Sequence, residues 1–317
     1  MEDTNMTGNQ LELHEVRTER ARRSLEWLAL GDAFGETFFA PAFIIDPMIE
    51  ARENLHDGPW PYTDDAAMAR EVYLELSEGR EIDPGSLARR FAAEYGREPW
   101  RGYGGGMHRL FERVGAGVDW ELAAHALFED SGSYGNGAAM RAAPVGAYFA
   151  DASDDMLVEQ ARLSALPTHT HSEGVAGAIA VAVAVAMAWR DREVEDDALA
   201  CDRMFEAALA LTPEGDVRSR IGRASRMPRD AHPMSAAARL GNGSRITALD
   251  TVPLCLWSIG AHRRDLELAM WQTVSVLGDR DTTCAIVAGA LAMCARHGSV
   301  PSSWRERAEP ILGVERA

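Results

Sequence analysis

Two acidic clusters stand at opposite ends of the chain, Thr63-Asp64-Asp65 and Asp279-Arg280-Asp281-Thr282. Each follows a proline- or glycine-bearing stretch and precedes an apolar segment with helical spacing. Together Thr63, Asp64, Asp65, Asp279, Asp281 and Thr282 form an oxygen-only donor set, hard enough to suit Mg²⁺ or Mn²⁺. A single Thr or Asp is enough to cap a helix; consecutive oxygen side chains, twice over, exceed that need. Carboxylates beside apolar helices are costly unless positive charge meets them. The pattern therefore predicts that the fold unites the clusters around a pair of divalent ions. The aspartates at i and i+2, Asp279 and Asp281, are expected in an extended loop, pointing to one side so as to bridge two ions.

Two further stretches carry chemistry. Ser131-Gly132-Ser133-Tyr134-Gly135-Asn136-Gly137-Ala138-Ala139-Met140-Arg141 is glycine-rich and then turns helical. Such a loop either exposes backbone N–H groups that cradle phosphate or is a tight turn needing Gly and Asn at positive φ. Thr168-His169-Thr170-His171-Ser172-Glu173 precedes an alanine- and valine-rich segment, and Thr170 with Glu173 has capping-box spacing. The histidines are at i and i+2, unlike the i, i+4 pair of zinc-binding helices. One of them fits a donor to a ligand phosphate or ribose. The Gly102–Gly106 loop has no preceding strand and is expected to be a pocket wall, with Trp100 or Tyr103 available to stack. The chain contains no G-x-S-x-G, and no cysteine has an evident histidine partner.

The elements that must position these residues read as helices. Glu19 to Leu30 places Leu25, Leu28 and Ala29 on one face and is expected to end at Gly31-Asp32-Ala33-Phe34-Gly35. Met68, Val72, Tyr73 and Leu76 give Asp65 to Ser77 helical spacing, and Asp83 with Pro84 starts another helix as cap and first turn. Further helices are expected at about 120–128, 140–148, 155–166, 173–189, 198–211, 252–258, 266–276 and 282–295. The polar segment 213–242 should mix short helix with surface loop. Regularly spaced strands, β-α alternation and internal repeats are all missing from the pattern. The acidic clusters lie more than two hundred residues apart, so a shared site needs both halves in one unit. The expectation is one all-α domain over 16–317, behind a disordered polar tail at 1–15.

Composition limits the partners. Of 317 residues, 46% are hydrophobic and 26% charged, an ordinary globular balance. A formal net charge of −17 argues against a general nucleic-acid or acidic-membrane binder. The four cysteines (Cys201, Cys255, Cys284, Cys294) form no C-x-x-C pair, which points to buried free thiols in a reducing, cytoplasmic compartment. The N-terminus lacks the order of a signal peptide. Gly174 to Trp189 is uncharged but short of the roughly 20 residues of a membrane span, and is expected to be a central core helix.

Taken in order, five segments resemble the ADP-ribosylglycohydrolase family, that of ADP-ribosylarginine hydrolases and of the glycohydrolase that reactivates dinitrogenase reductase. They are Gly31-Asp32-Ala33-Phe34-Gly35, Thr63-Asp64-Asp65, Gly135-Asn136-Gly137-Ala138-Ala139-Met140-Arg141, Thr168-His169-Thr170-His171 and Gly278-Asp279-Arg280-Asp281-Thr282, spanning about residues 20–297. The resemblance implies a compact orthogonal helical bundle holding two Mg²⁺ or Mn²⁺ ions in a cleft; a monomer is expected. It implies Thr63, Asp64, Asp65, Asp279, Asp281 and Thr282 as ligands, with Asp64, Asp65 or Asp279 orienting the attacking water and taking its proton. It places Asp32 beside the site as a supporting, substrate-side acid. It gives Ser133, Tyr134, Gly135 and Asn136 the diphosphate and distal ribose of ADP-ribose, and His169 the phosphate side. The implied substrate is an ADP-ribosylated protein or small molecule.

Departures from the family pattern are Ala66 and Arg280, each replacing a threonine. Arg280 is expected to turn either toward an anionic substrate or to solvent. The branch of the family acting on serine-linked ADP-ribose looks to carry a glutamate seven residues after the first-motif aspartate; here that position is Phe39, and Glu36 is four residues on. That difference favours an arginine-type N-linkage. The alternatives are another ADP-ribosylated acceptor, a non-catalytic ADP-ribose sensor, or a structural protein on the same scaffold.

Overall fold

The computed structural model describes residues 8–53, 57–296 and 298–313. Among them the secondary structure is helical throughout, with two isolated bridges, Trp60 to Ala308 and Gly135 to Thr247, in place of a sheet. The helices run α1 Gly8–Glu36, α2 Ala42–Ala51, α3 Asp64–Gly79, α4 Pro84–Arg97, α5 Gly105–Gly115 and α6 Trp120–His125. Then come α7 Gly137–Met140, α8 Ala143–Tyr148, α9 Asp154–Ala165, α10 Ser172–Arg190, α11 Asp197–Leu211 and α12 Asp216–Ala224. The last are α13 Pro233–Leu240, α14 Ala248–Ala261, α15 Leu266–Val274, α16 Arg280–Leu291 and α17 Ser302–Arg307. The all-α expectation holds.

Local chemistry explains where the helices start. Asp83 accepts from the Ser86 N–H at 2.6 Å with Pro84 in the first turn of α4, as the cap-and-proline pair implies. Ser153 and Asp265 cap α9 and α15 in the same way. At α10, however, His171 rather than Thr170 is the cap, its Nδ1 accepting from the Glu173 N–H at 3.1 Å. Glu173 instead accepts from the N–H groups of Asp216 and Val217, capping α12 from 43 and 44 residues away. A short-range capping box was legible; the long-range cap that displaced it was not.

The expected disordered tail at 1–15 needs correction. From Gly8 the chain is already in α1, and His14 donates from Nε2 to the Ser77 carbonyl at 3.1 Å while Nδ1 faces the Tyr148 hydroxyl at 2.7 Å. Residues 1–7 lie outside the described residues. At its other end α1 does not stop at the Gly31–Gly35 motif but runs through it to Glu36. The reason is its packing on α16. A Cβ at Gly31 would collide with the Cys284 carbonyl, and one at Gly35 with the Arg280 carbonyl. These glycines let the two backbones touch, and that close approach carries Asp32 to the start of α16.

The buried apolar side chains form one contiguous cluster from Ala21 to Ile311. Helix α10 lies inside it, packed on α7, α8, α9, α11, α14 and α16, and every residue from Gly174 to Ala186 is buried. Its 19 residues are long and apolar enough to cross a membrane by length and composition. Here protein covers it, so its hydrophobicity is spent on the core. All four cysteines are buried and free.

Candidate functional site

Helices α3 and α16 bring the two acidic clusters together. Asp64 and Asp65 occupy the first turn of α3, and Asp281 the first turn of α16, with Asp279 as its cap. Asp279 and Asp281 are thus at a helix start and not in the extended loop expected from their spacing. The consequence is electrostatic: both helix N-termini, the positive ends of their dipoles, point at the acids. The α3 start is held in place from several sides. The Asp64 N–H donates to the Arg101 carbonyl at 2.7 Å, and Arg101 donates to the Tyr62 carbonyl at 2.9 Å and to Glu309 at 2.7 Å. Beneath the clusters Asp32 Oδ2 accepts from the N–H groups of Thr63 and Ala66, at 2.9 and 3.0 Å.

Both clusters open onto a cavity of about 480 Å³, inside the usual range for small-ligand sites. Asp64, Asp65, Asp279, Asp281 and Thr282 line one part of it, and Ser133, Tyr134, Gly135, Asn136 and His169 another. Thr63 and Asp32 do not reach the wall. Thr63 is turned to its helix, its hydroxyl 3.2 Å from Asp65 Oδ2, and Asp32 is fully buried. The substrate-side position expected of Asp32 is therefore replaced by one underneath the acids. Asn136 joins the two halves of the site, donating from Nδ2 to Asp279 Oδ2 at 2.6 Å and to Thr251 Oγ1 at 3.0 Å.

The acids suppress one another. Burial first, and the Asp281 charge second, push Asp64 up to about 8 and Asp279 up to about 7. The same two causes raise Asp32 and Asp65 well above the carboxylate range, and lift Glu36 to about 7. Burial raises Asp281 itself, against the pull of nearby N–H groups. Cationic help from the protein is small. Arg141 is fully buried, and burial lowers it to about 9 against the pull of Asp64. Arg280 donates to the Phe38 carbonyl and lies 4.9 Å from the Phe39 ring. It turns neither to substrate nor to solvent, as either alternative had it, but pins the segment after α1.

This donor set fits divalent cations. The Oδ1 atoms of Asp32, Asp65 and Asp281 are buried with no hydrogen-bond partner among the described residues. Orphaned carboxylate oxygens of this kind are expensive. Among the described residues no three His, Cys, Asp or Glu side chains close on one point. The acids stand instead as two pairs, one at each helix start, with Thr282 beside the second.

Several wall residues carried no signal in the sequence. Phe128 and Ile246 line the cavity, and each is exposed, at 52% and 63%, on left-handed backbone with φ of 54° and 53°. Left-handed backbone at such residues costs about 1–3 kcal/mol, and here it accompanies apolar side chains on the cavity wall. Arg245, beside Ile246, also lines the cavity, and its guanidinium pairs with no acid among the described residues. Gly102, Gly104, Gly105 and Gly106 form wall as expected. Tyr103 and Trp100 do not: Tyr103 is buried against Tyr95 and Phe111, and Trp100 is exposed away from the cavity.

Comparison with known proteins identifies the family. The family model described as ADP-ribosylglycohydrolase matches residues 13–316. A protein named ADP-ribosylhydrolase ARH3 from Xenopus tropicalis is 31% identical over 93% of this chain and 93% of its own. Proteins of the same name from Gallus gallus and Homo sapiens are 35% and 32% identical, over 80% and 78% of this chain and 76% and 74% of their own. A solved structure described as an ADP-ribosylglycohydrolase-related protein complex superposes with a TM-score of 0.65 at 22% identity, over 93% of this chain and 94% of that one; this likeness speaks to the fold. The chain belongs to the ADP-ribosylglycohydrolase family and is, as a member of it, a hydrolase of glycosyl bonds.

Proposed function

We propose that this protein hydrolyses the bond between the anomeric carbon of ADP-ribose and its acceptor, with two divalent ions at the acid clusters. One observation carries the reading: acid pairs from distant parts of the chain meet at two helix N-termini, on the wall of a cavity shared with the Ser133–Gly137 loop. Asp64, Asp65, Asp279, Asp281 and Thr282 are the residues that would hold Mg²⁺ or Mn²⁺, with Thr63 close behind. Ions bound there would supply the positive charge the acids lack, together with Lewis-acid polarisation of substrate oxygen.

The protein's own groups do the rest. Asn136 fixes Asp279, so that its carboxylate takes a proton from the attacking water in a set geometry; Asp64 and Asp65 are the other candidates. The surrounding carboxylates stabilise the positive charge that develops on the ribose as the glycosidic bond lengthens. Phe128 and Ile246 offer apolar faces to the adenine, and Arg245 a counter-charge to the diphosphate.

The arginine-type linkage does not keep its support. It rested on Phe39 replacing a glutamate, yet Glu36 places a half-buried carboxyl under the influence of Asp281, within the same region. The relatives named above carry a name that specifies ADP-ribosyl hydrolysis and no acceptor. The reading therefore stands at the ADP-ribosyl bond. Its test is mass-spectrometric release of ADP-ribose from Arg-, Ser-, Asp/Glu- and nucleobase-linked substrates, with Mg²⁺, Mn²⁺ or chelator. Release from at least one, dependent on the cation, is expected. No release from any would leave a binding protein.

A further inference from the structure

Arg141 and Thr168 are buried polar residues with no part in the reaction described above. Arg141 donates to the carbonyls of Gly137 at 2.8 Å and Ser164 at 2.9 Å, and to Thr168 Oγ1 at 2.8 Å. A guanidinium has no acceptor atom, so the direction of that last bond is fixed: Thr168 accepts. Thr168 is fully buried, and its hydroxyl has a single proton to give. The other partner in reach is His169 Nδ1 at 2.7 Å. If His169 carried its proton on Nδ1, the threonine proton would be left buried without an acceptor, at the full desolvation cost of an unpaired donor. The threonine therefore donates, His169 Nδ1 accepts, and a neutral ring must keep its proton on Nε2.

The surroundings seat the ring in that orientation. Nε2 makes no hydrogen bond to the protein among the described residues, and His169 lines the cavity. A Cβ at Gly135 or Gly137 would stand 3.2 or 3.4 Å from Nε2, and one at Gly174 would stand 3.1 Å from Cδ2. Two glycines of the Gly135-Asn136-Gly137 run, together with Gly174 in α10, thus leave room for the ring. Burial, with the charge of Arg141 behind it, holds His169 well below the usual histidine range, which keeps the imidazole uncharged.

We propose that Arg141 and Thr168 are positioning residues that fix His169 as its Nε2–H tautomer, so that the cavity presents an uncharged donor to an acceptor oxygen of the ligand. This deepens the reading of the cavity as an ADP-ribosyl site and rests on it for the ligand. A neutral donor suits this place, since an imidazolium would compete with the cations that the acid clusters require.

The experiment uses full-length protein labelled with ¹⁵N-histidine, with His169→Gln to assign the ring signals. Long-range proton–nitrogen correlation spectra of the ligand-free protein should show Nε2 protonated and Nδ1 bare. In Thr168→Val the tautomers should mix or exchange, and the Kd for ADP-ribose should rise about tenfold, about 1.4 kcal/mol. Thr168→Ser, which keeps the hydroxyl, should restore both. A wild-type ring protonated on Nδ1 overturns the proposal, as does a folded Thr168→Val with unchanged tautomer and affinity. The wild-type spectrum needs no variant to fold and no substrate. A failure of the ADP-ribose reading, seen as absent binding by wild-type protein, is therefore distinguishable from a failure of the tautomer.

Discussion

Replacing Asp281 by Asn should make the cation-free protein more stable at alkaline pH. Asp281 is the second cause, after burial, of the raised pKa of both Asp64 and Asp279. Those carboxyls stand at about 8 and about 7, against an ordinary aspartate value of 3.8. A folded-state pKa above the unfolded one gives stability that is complete at low pH and is lost as pH rises through the folded value. The window here is therefore roughly pH 4 to 8, and the ionised cluster is most costly above it. Each pKa unit by which a carboxyl is relieved is worth about 1.4 kcal/mol, and removing the Asp281 charge relieves two carboxyls at once. Losing a charge from the first turn of α16 returns only about 0.3–1 kcal/mol, so the relief wins, with a net gain on the order of 1–2 kcal/mol. With an unfolding entropy of about 2.1 cal/mol/K per residue, that is about 2–3 °C in Tm for a chain of this size. Thermal melts in chelator should show the gain at pH 8.5 and little of it at pH 5. With Mg²⁺ or Mn²⁺ at about 100 times Kd, wild-type protein should gain about 2.7 kcal/mol and Asp281→Asn clearly less. A variant destabilised in chelator at pH 8.5, or one stabilised by cation as much as wild type, would refute the reasoning and leave Asp281 a helix-start residue.

Other perturbations separate the parts of the site. Asn136→Ala removes the bonds to Asp279 and Thr251; kcat should fall about a hundredfold through a misplaced carboxylate, which steady-state assays would show against KM. Phe128→Ala should raise KM by about tenfold while sparing kcat, in line with about 1–3 kcal/mol for stacking on a base, and competition with adenosine against ribose 5-phosphate locates the loss. Arg280→Ala frees the segment after α1 from its bond to Phe38 and its contact with Phe39. Limited proteolysis should then cut faster near residue 39, with cation stabilisation unchanged, whereas a substrate-facing arginine would move KM instead.

Much of this site could be read without coordinates, because its residues also obey local rules. Helix starts are set by short-range chemistry, so Thr63, Asp64, Asp65 and Asp279 were identifiable as oxygen-rich beginnings of apolar helices. The limits of that reading were also physical. Gly31 and Gly35 looked like a helix terminus because glycine weakens an isolated helix; contact with the backbone of α16 is what keeps the helix going. Glu173 looked like half of a local box until α12, distant in sequence, supplied the N–H groups it caps. Arg280 offered two directions and took a third, toward a carbonyl and a ring that packing alone brings near.

Composition, spacing and side-chain type by themselves determined the helical class, the apolar stripes, the oxygen donors and their order along the chain. Those properties act over one or two turns, within the reach of a few side chains. Only the tertiary structure decided that the two acid pairs meet, that Asp32 lies under them, and that Phe128, Arg245 and Ile246 share their cavity. These relations join residues separated by more than two hundred positions, and burial, which raises every acid in the cluster, exists only once the chain has packed around them.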